Sequence, residues 1–178
     1  RPSPAVALDG GAGNASFDAE LRLVDRAGTG GRAATAQRFT AGMALRPEGG
    51  RSVAVSIVDP GTSTSDLWLV DLQSGARTAL TTTRGYTGAP VWSHDGTRMA
   101  YAYAPPGQLD DVYIKDLRTG KEEPVIESRT GLEHPVAWSH DDAYMIVWTS
   151  DDKGNTLARW SFGSHILTPF AGSGTQWA

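Results

Sequence analysis

The feature that most constrains this chain is a phrase it uses more than once. Val91-Trp92-Ser93-His94-Asp95-Gly96-Thr97-Arg98-Met99-Ala100-Tyr101 returns as Ala137-Trp138-Ser139-His140-Asp141-Asp142-Ala143-Tyr144-Met145-Ile146-Val147. An eroded earlier copy reads Ala44-Leu45-Arg46-Pro47-Glu48-Gly49-Gly50-Arg51-Ser52-Val53-Ala54-Val55, so that Leu45, Trp92 and Trp138 stand 47 and 46 residues apart. A second element keeps the same beat. Leu21-Arg22-Leu23-Val24-Asp25, Leu67-Trp68-Leu69-Val70-Asp71-Leu72 and Val112-Tyr113-Ile114-Lys115-Asp116-Leu117 begin 46 and 45 residues apart. Two unrelated phrases sharing one spacing establish a true repeat.

A period in the forties built from short strands is the sequence form of a propeller blade. Alternation is clear in Arg98-Met99-Ala100-Tyr101-Ala102-Tyr103 and in Asp111-Val112-Tyr113-Ile114-Lys115, as half-buried strands require. The strands fall into groups of four: 42–46, 52–58, 66–72 and 77–82, then 89–93, 98–104, 111–117 and 123–127, then 135–139, 144–149, 156–162 and 165–170. Before them, 21–25 and 34–40 read as the last two strands of a partial blade. No segment carries a helical period. The expected fold is therefore all-β, with propeller-type blades of four antiparallel strands, about three and a half in number, forming an open or incomplete propeller. Residues 1–18, rich in Ala, Gly, Pro and Ser, read as a flexible arm or linker, 19–170 as the blade domain, and 171–178 as a tail.

Within each phrase the residues have physical tasks. Pro90 and Pro135 suit a strand start, where no ladder donor is needed. Trp92 and Trp138, with Leu45 in the weakest copy, fill the space between adjacent sheets, each indole burying roughly 200 Å2. Asp95 and Asp141 cap backbone donors in the turn, and Gly96 is free to take a positive φ where Asp142 is less relaxed.

Composition narrows the function classes. Sixteen basic and twenty acidic residues give a net charge of −4, and no stretch gathers Lys or Arg as nucleic-acid binding requires. No apolar run approaches the roughly 20 residues of a membrane-spanning helix. Cysteine is absent, which excludes disulfides and thiolate metal sites. Opening on Arg1 without an initiator Met is read as a removed targeting segment or as part of a longer product, in which a lipid anchor could lie.

The repeated phrase resembles the TolB-like (WD-repeat-like) β-propeller repeats, whose signature is Trp-Ser-Pro-Asp-Gly followed by an Ile-Ala-Phe-like strand. Here His94 and His140 stand at the Pro position, which survives only as Pro47. The resemblance runs from about Leu21 to Phe170. In wording it is nearest the propeller segments of some bacterial serine/threonine kinases, through Asp66-Leu67-Trp68, Arg77-Thr78-Ala79-Leu80-Thr81 and Glu122-Glu123-Pro124-Val125-Ile126-Glu127-Ser128. It implies a fold rather than a chemistry, since one scaffold hosts unrelated roles. Six blades, the number in TolB-type propellers, would need roughly 275 residues at this period. A closed four-bladed ring is conceivable, but the first blade lacks its opening strands. Open ends expose unpaired backbone and apolar faces, and something must cover them.

Ser93-His94-Asp95 is turn vocabulary, because a triad converges in space rather than in sequence and the trio recurs at Ser139-His140-Asp141. His94 and His140 occupy equivalent turns in successive blades and are expected to lie far apart, on the surface. Asp151-Asp152-Lys153-Gly154-Asn155 lacks the alternating ligands and distal Glu of a calcium loop. Asp110-Asp111 and Glu122-Glu123 read as solvated edges. Catalytic, cofactor and metal residues are expected to be none. Trp160 suits core packing or, as a candidate partner contact, an exposed anchor. Trp177 suits docking on a partner or a disordered tail. The resulting expectation is a non-catalytic interaction or stabilising subunit of a larger bacterial assembly, associated with a membrane and lying in the periplasm or at the outer face of the cytoplasmic membrane. Other protein subunits would cover the open blade edges. The alternatives are a sensor or regulatory propeller belonging to a kinase or peptidase, and, more weakly, a small enzyme using the central funnel.

Overall fold

Strand alternation and Gly-rich turns leave the backbone one economical solution, a series of antiparallel meanders stacked face to face. The computed structural model describes residues 5–10, 18–24, 27, 32–47, 49–128 and 130–170. The first sheet runs in the order β1 (Ala5–Gly10), β2 (Asp18–Val24), β3 (Arg32–Leu45), β4 (Ser52–Asp59), β5 (Thr64–Asp71) and β6 (Arg77–Ala79). The second holds β7 (Tyr86–Trp92), β8 (Arg98–Ala104), β9 (Asp111–Asp116) and β10 (Glu122–Ile126). The third holds β11 (Leu132–Trp138), β12 (Tyr144–Asp151), β13 (Gly154–Ser161) and β14 (Ile166–Pro169).

The six-stranded sheet is two blades joined by one long strand. β3 pairs with β2 from Arg32 to Arg38 and with β4 from Phe39 to Leu45, with a bulge between Phe39 and Met43. Bulges recur in the first strand of the next two blades, between Gly88 and Val91 and between Pro135 and Ala137. A bulge bends its strand and increases its twist, which lets successive first strands lie alongside one another. β3, β7 and β11 do so in succession. The architecture is three four-stranded blades preceded by a partial one.

The partial blade corrects one expectation. Ala5–Gly10, assigned to the linker, forms β1 and pairs antiparallel with β2 from Ala5↔Val24 to Gly10↔Ala19. Its side chains are small, so Val6 and Leu8 alternate against a background of Ala that hides the period.

Three apolar clusters hold the stack together, one at each junction between blades. Leu21, Val53, Val55, Val70 and Leu72 fill the first, and Ala54, Leu67, Leu80, Trp92, Met99 and Tyr101 fill the second. Ala100, Val112, Ile114, Ile126, Met145, Val147 and Trp160 fill the third. The period-2 pattern decides this layout: Val53 and Val55 face one neighbour while Ala54 faces the other. Tyr101, 1 % exposed, has its hydroxyl beside Glu122, and burial pushes its pKa upward.

Candidate functional site

The two junctions between complete blades are wired at both ends of their first strands, β7 and β11. At the turn end, Ser93 is fully buried and its hydroxyl donates to Asp95 Oδ1 (2.7 Å) and accepts from Arg98 N (2.9 Å). Asp95 also accepts from Thr97 N (3.0 Å), and the Ser93 hydroxyl foremost, then Thr97, lowers its pKa from 3.8 to about 2. Asp141 repeats the arrangement with Ser139 and Ala143 N, and its pKa is lowered by the Ser139 hydroxyl first. Gly96 holds φ 65° and Asp142, at the same turn position, holds φ 54°. The serine of the apparent Ser-His-Asp trio is therefore committed to its own turn.

The same turns bridge neighbouring blades. Arg46 lies over the Trp92 ring (5.4 Å) and donates to the Gly96 carbonyl (3.0 Å), while Trp92 Nε1 donates to the Ala44 carbonyl (3.0 Å). One blade on, Arg98 lies over Trp138 (5.0 Å) and pairs with Asp142 (3.5 Å), which also accepts from His94 N (3.2 Å). Trp138 stacks on Phe162 at 4.9 Å, but its indole N–H is buried without a partner.

The histidines overturn an expectation. His94 and His140 meet, with ring centroids 3.8 Å apart and planes tilted by 35°. The spacing along the chain suggested distance. The first strands of consecutive blades lie side by side, however, and their hairpin turns project together. Both imidazoles remain exposed to solvent.

At the opposite end the junctions differ. Between the first two complete blades, buried Ser65 and Thr87 are interlocked: Thr87 N donates to Ser65 Oγ (2.9 Å) and Thr87 Oγ1 donates to the Ser65 carbonyl (2.7 Å). The equivalent positions at the next junction are Asp110 and Glu133, where Glu133 N donates to the Asp110 carbonyl (3.0 Å). The Asp110 carboxylate takes the ring of His134, which also contacts Trp148 at 5.3 Å. Glu133 is 5 % exposed, its Oε2 has no partner, and burial raises its pKa against the opposing bond from Ser128. Asp66 and Asp111, also equivalent, tie down the connecting segment that leads into the next blade through Thr83 N (2.7 Å) and Ser128 N (3.0 Å). Asp110 and Asp111 are thus junction residues rather than the solvated edge expected. The repeat itself could have revealed this, since Ser65-Asp66 and Asp110-Asp111 precede the same phrase.

Trp160 is 9 % exposed, lies in the third cluster and contacts His165. Trp177 lies outside the described residues. Among the described residues no three metal-ligating side chains converge, and His134 bonds to a carboxylate rather than to a hydroxyl. No described helix is long and apolar enough to cross a membrane.

The last blade presents an outer face with no described sheet beyond it. Met145, Val147 and Leu167 turn inward to the third cluster, so the alternate positions Ile146, Trp148 and Ile166 turn outward. Val136 and Ile166 are 52 % and 58 % exposed.

No protein-family model matches the chain, and no curated protein does. Solved structures do. TolB from Acinetobacter baumannii superposes with a TM-score of 0.78 at 22 % identity, over 96 % of this chain and 42 % of that one. A TolB-type protein from Agrobacterium tumefaciens gives 0.76 at 17 % identity, over 97 % and 62 %. A puromycin-hydrolysing peptidase of Mycobacterium tuberculosis gives 0.64 at 13 % identity, over 92 % and 30 %. The chain thus spans between about a third and three fifths of these structures. Its repeat, its stacked four-stranded sheets and these superpositions together assign it the fold of the TolB-like β-propellers.

Proposed function

We propose that this chain is a non-catalytic protein–protein interaction module that stabilises a larger bacterial assembly. The observation that carries the reading is the outer face of the β11–β14 blade, where exposed Val136 and Ile166 stand with half-buried Ile146 and Trp148 on a sheet whose other face is already covered. Every described junction buries such a face against a neighbouring sheet, so the surface complementary to it is another blade-like sheet on a protein partner. Apart from Arg46 Nε, Glu133 Oε2 and Trp138 Nε1, the junction polar groups described above are bonded to turns and to one another, which supports the same reading. The resemblance to TolB-type repeats favours the periplasm or the outer face of the cytoplasmic membrane.

The test is Val136→Asp with Ile166→Asp, compared with the unaltered protein by light scattering after size exclusion. The module reading expects an assembly in the unaltered protein and its loss in the variant, with an unchanged circular dichroism spectrum. An unaltered protein that is recovered from its own cells as a stable monomer with no companion protein overturns it. A second reading, a regulatory propeller attached to a catalytic domain, is favoured by the similarity to a peptidase structure. A catalytic domain encoded in the same reading frame would decide for it.

A further inference from the structure

The complete blade nearest the N-terminus carries a cavity of about 700 Å3, remote from the terminal face and independent of the reading given above. It is formed where β4, β5 and β6 meet the segment leading to β7. Its floor is apolar, with Ile57 and the half-buried Trp68, and its rim carries Arg77, Arg84, Asp59 and Asp66.

The four charges are not equivalent. Asp59 Oδ1 accepts from Gly61 N (2.7 Å), closing its own turn. Asp66 Oδ1 accepts from Thr81 Oγ1 (2.8 Å) and Thr83 N (2.7 Å), fixing the segment that connects β6 to β7. Both carboxylates therefore hold backbone. The guanidinium groups of Arg77 and Arg84 make neither an ion pair nor a hydrogen bond to a described residue, and both side chains are exposed at the cavity mouth. This contrasts with Arg46 and Arg98, which are stacked on tryptophans and bonded across their junctions. Each guanidinium offers five donors in a planar fork that matches the oxygens of carboxylate or phosphate. Among the described lining residues the unspent capacity is thus mainly donor capacity, set above an aromatic floor.

We infer that this cavity is a binding site for a small molecule bearing an oxyanion, a carboxylate or a phosphate, on a flat apolar body. The oxyanion is held between Arg77 and Arg84, and the body rests on Trp68. Charge-assisted bonds to a planar fork give direction as well as attraction, and the apolar floor adds burial that a bare inorganic ion cannot use.

The test uses three probes of one shape: benzoate, phenyl phosphate and the uncharged benzamide. Each is titrated into the 15N-labelled full chain, and amide and indole shifts are followed by NMR. The site expects saturable shifts at Thr83, Arg84 and the Trp68 indole with benzoate or phenyl phosphate. Benzamide should bind about tenfold or more weakly, and affinity should fall as salt is added. Tighter benzoate binding assigns a carboxylate ligand and tighter phenyl phosphate binding a phosphate ligand, and either supports the site. Arg77→Gln with Arg84→Gln should reduce oxyanion affinity by about tenfold or more while leaving distant resonances in place. Benzamide binding as tightly as benzoate, undiminished binding by the double variant, or no saturable shift with either oxyanion overturns the inference.

Discussion

Trp92 and Trp138 occupy the same place in consecutive blades and both lie beneath an arginine, yet only the Trp92 indole donates a hydrogen bond. Trp92→Phe leaves the Ala44 carbonyl without its donor, whereas Trp138→Phe removes an N–H that has no acceptor. The first substitution should cost about 1–2 kcal/mol more than the second, read as a larger fall in the urea midpoint at unchanged m-value. Equal costs would contradict the wiring described. The carboxyl groups divide in the same manner. Asp95, held near 2 by Ser93 and Thr97, has a folded pKa below its unfolded value, so its contribution is complete above about pH 4 and is lost as pH falls toward 2. Asp95→Asn should therefore be destabilising at neutral pH and nearly silent in acid. Glu133 has the opposite sign. Burial raises its folded pKa, so ionising it opposes folding above that pKa and the cost vanishes as pH falls through it. Glu133→Gln should gain about 1 kcal/mol at neutral pH and nothing in acid, when both variants are unfolded by urea at each pH.

At the scale of the element, stability should follow position within the blade. The second strands β4, β8 and β12 are paired on both sides, and β8 is buried along most of its length. The outer strands β6 and β14 are paired on one side and are largely exposed. Amide exchange should therefore be slowest in β4 and β8 and fastest in β6 and β14, and uniform protection would contradict the stacked-blade account. Short edge strands, and β10 with Lys115–Glu122 and Lys121–Glu123 pairs, also discourage edge-to-edge growth. Most of these strands were legible in the sequence, because alternation and the recurring Trp and Asp positions mark them directly. β1 was hidden by its small side chains. The His94–His140 contact was hidden for a different reason: a repeat reports spacing along the chain, while the contact depends on first strands lying side by side. The Asp110–His134 contact and the burial of Glu133 were missed because the acidic pair was read by itself rather than aligned with Ser65 and Thr87.

At the scale of the molecule, the three clusters show how each blade is stabilised, by burying one face against the blade before it and the other against the blade after it. Among the described residues, the β11–β14 blade has only the first of these. Its outer face is apolar at Val136, Ile146, Trp148 and Ile166, and a face of that kind in water favours association. The recurring turns, the arginine–tryptophan stacks and the capped aspartates are spent on holding blades together. The proposed module therefore rests on a surface, the outer face of the β11–β14 blade. The most direct test of the proposed module is the native mass at which this chain is recovered from its own cells without overexpression. The account predicts an assembly in which the β11–β14 face becomes protected from amide exchange relative to the dissociated chain. A soluble, stable monomer with that face open to exchange would contradict it.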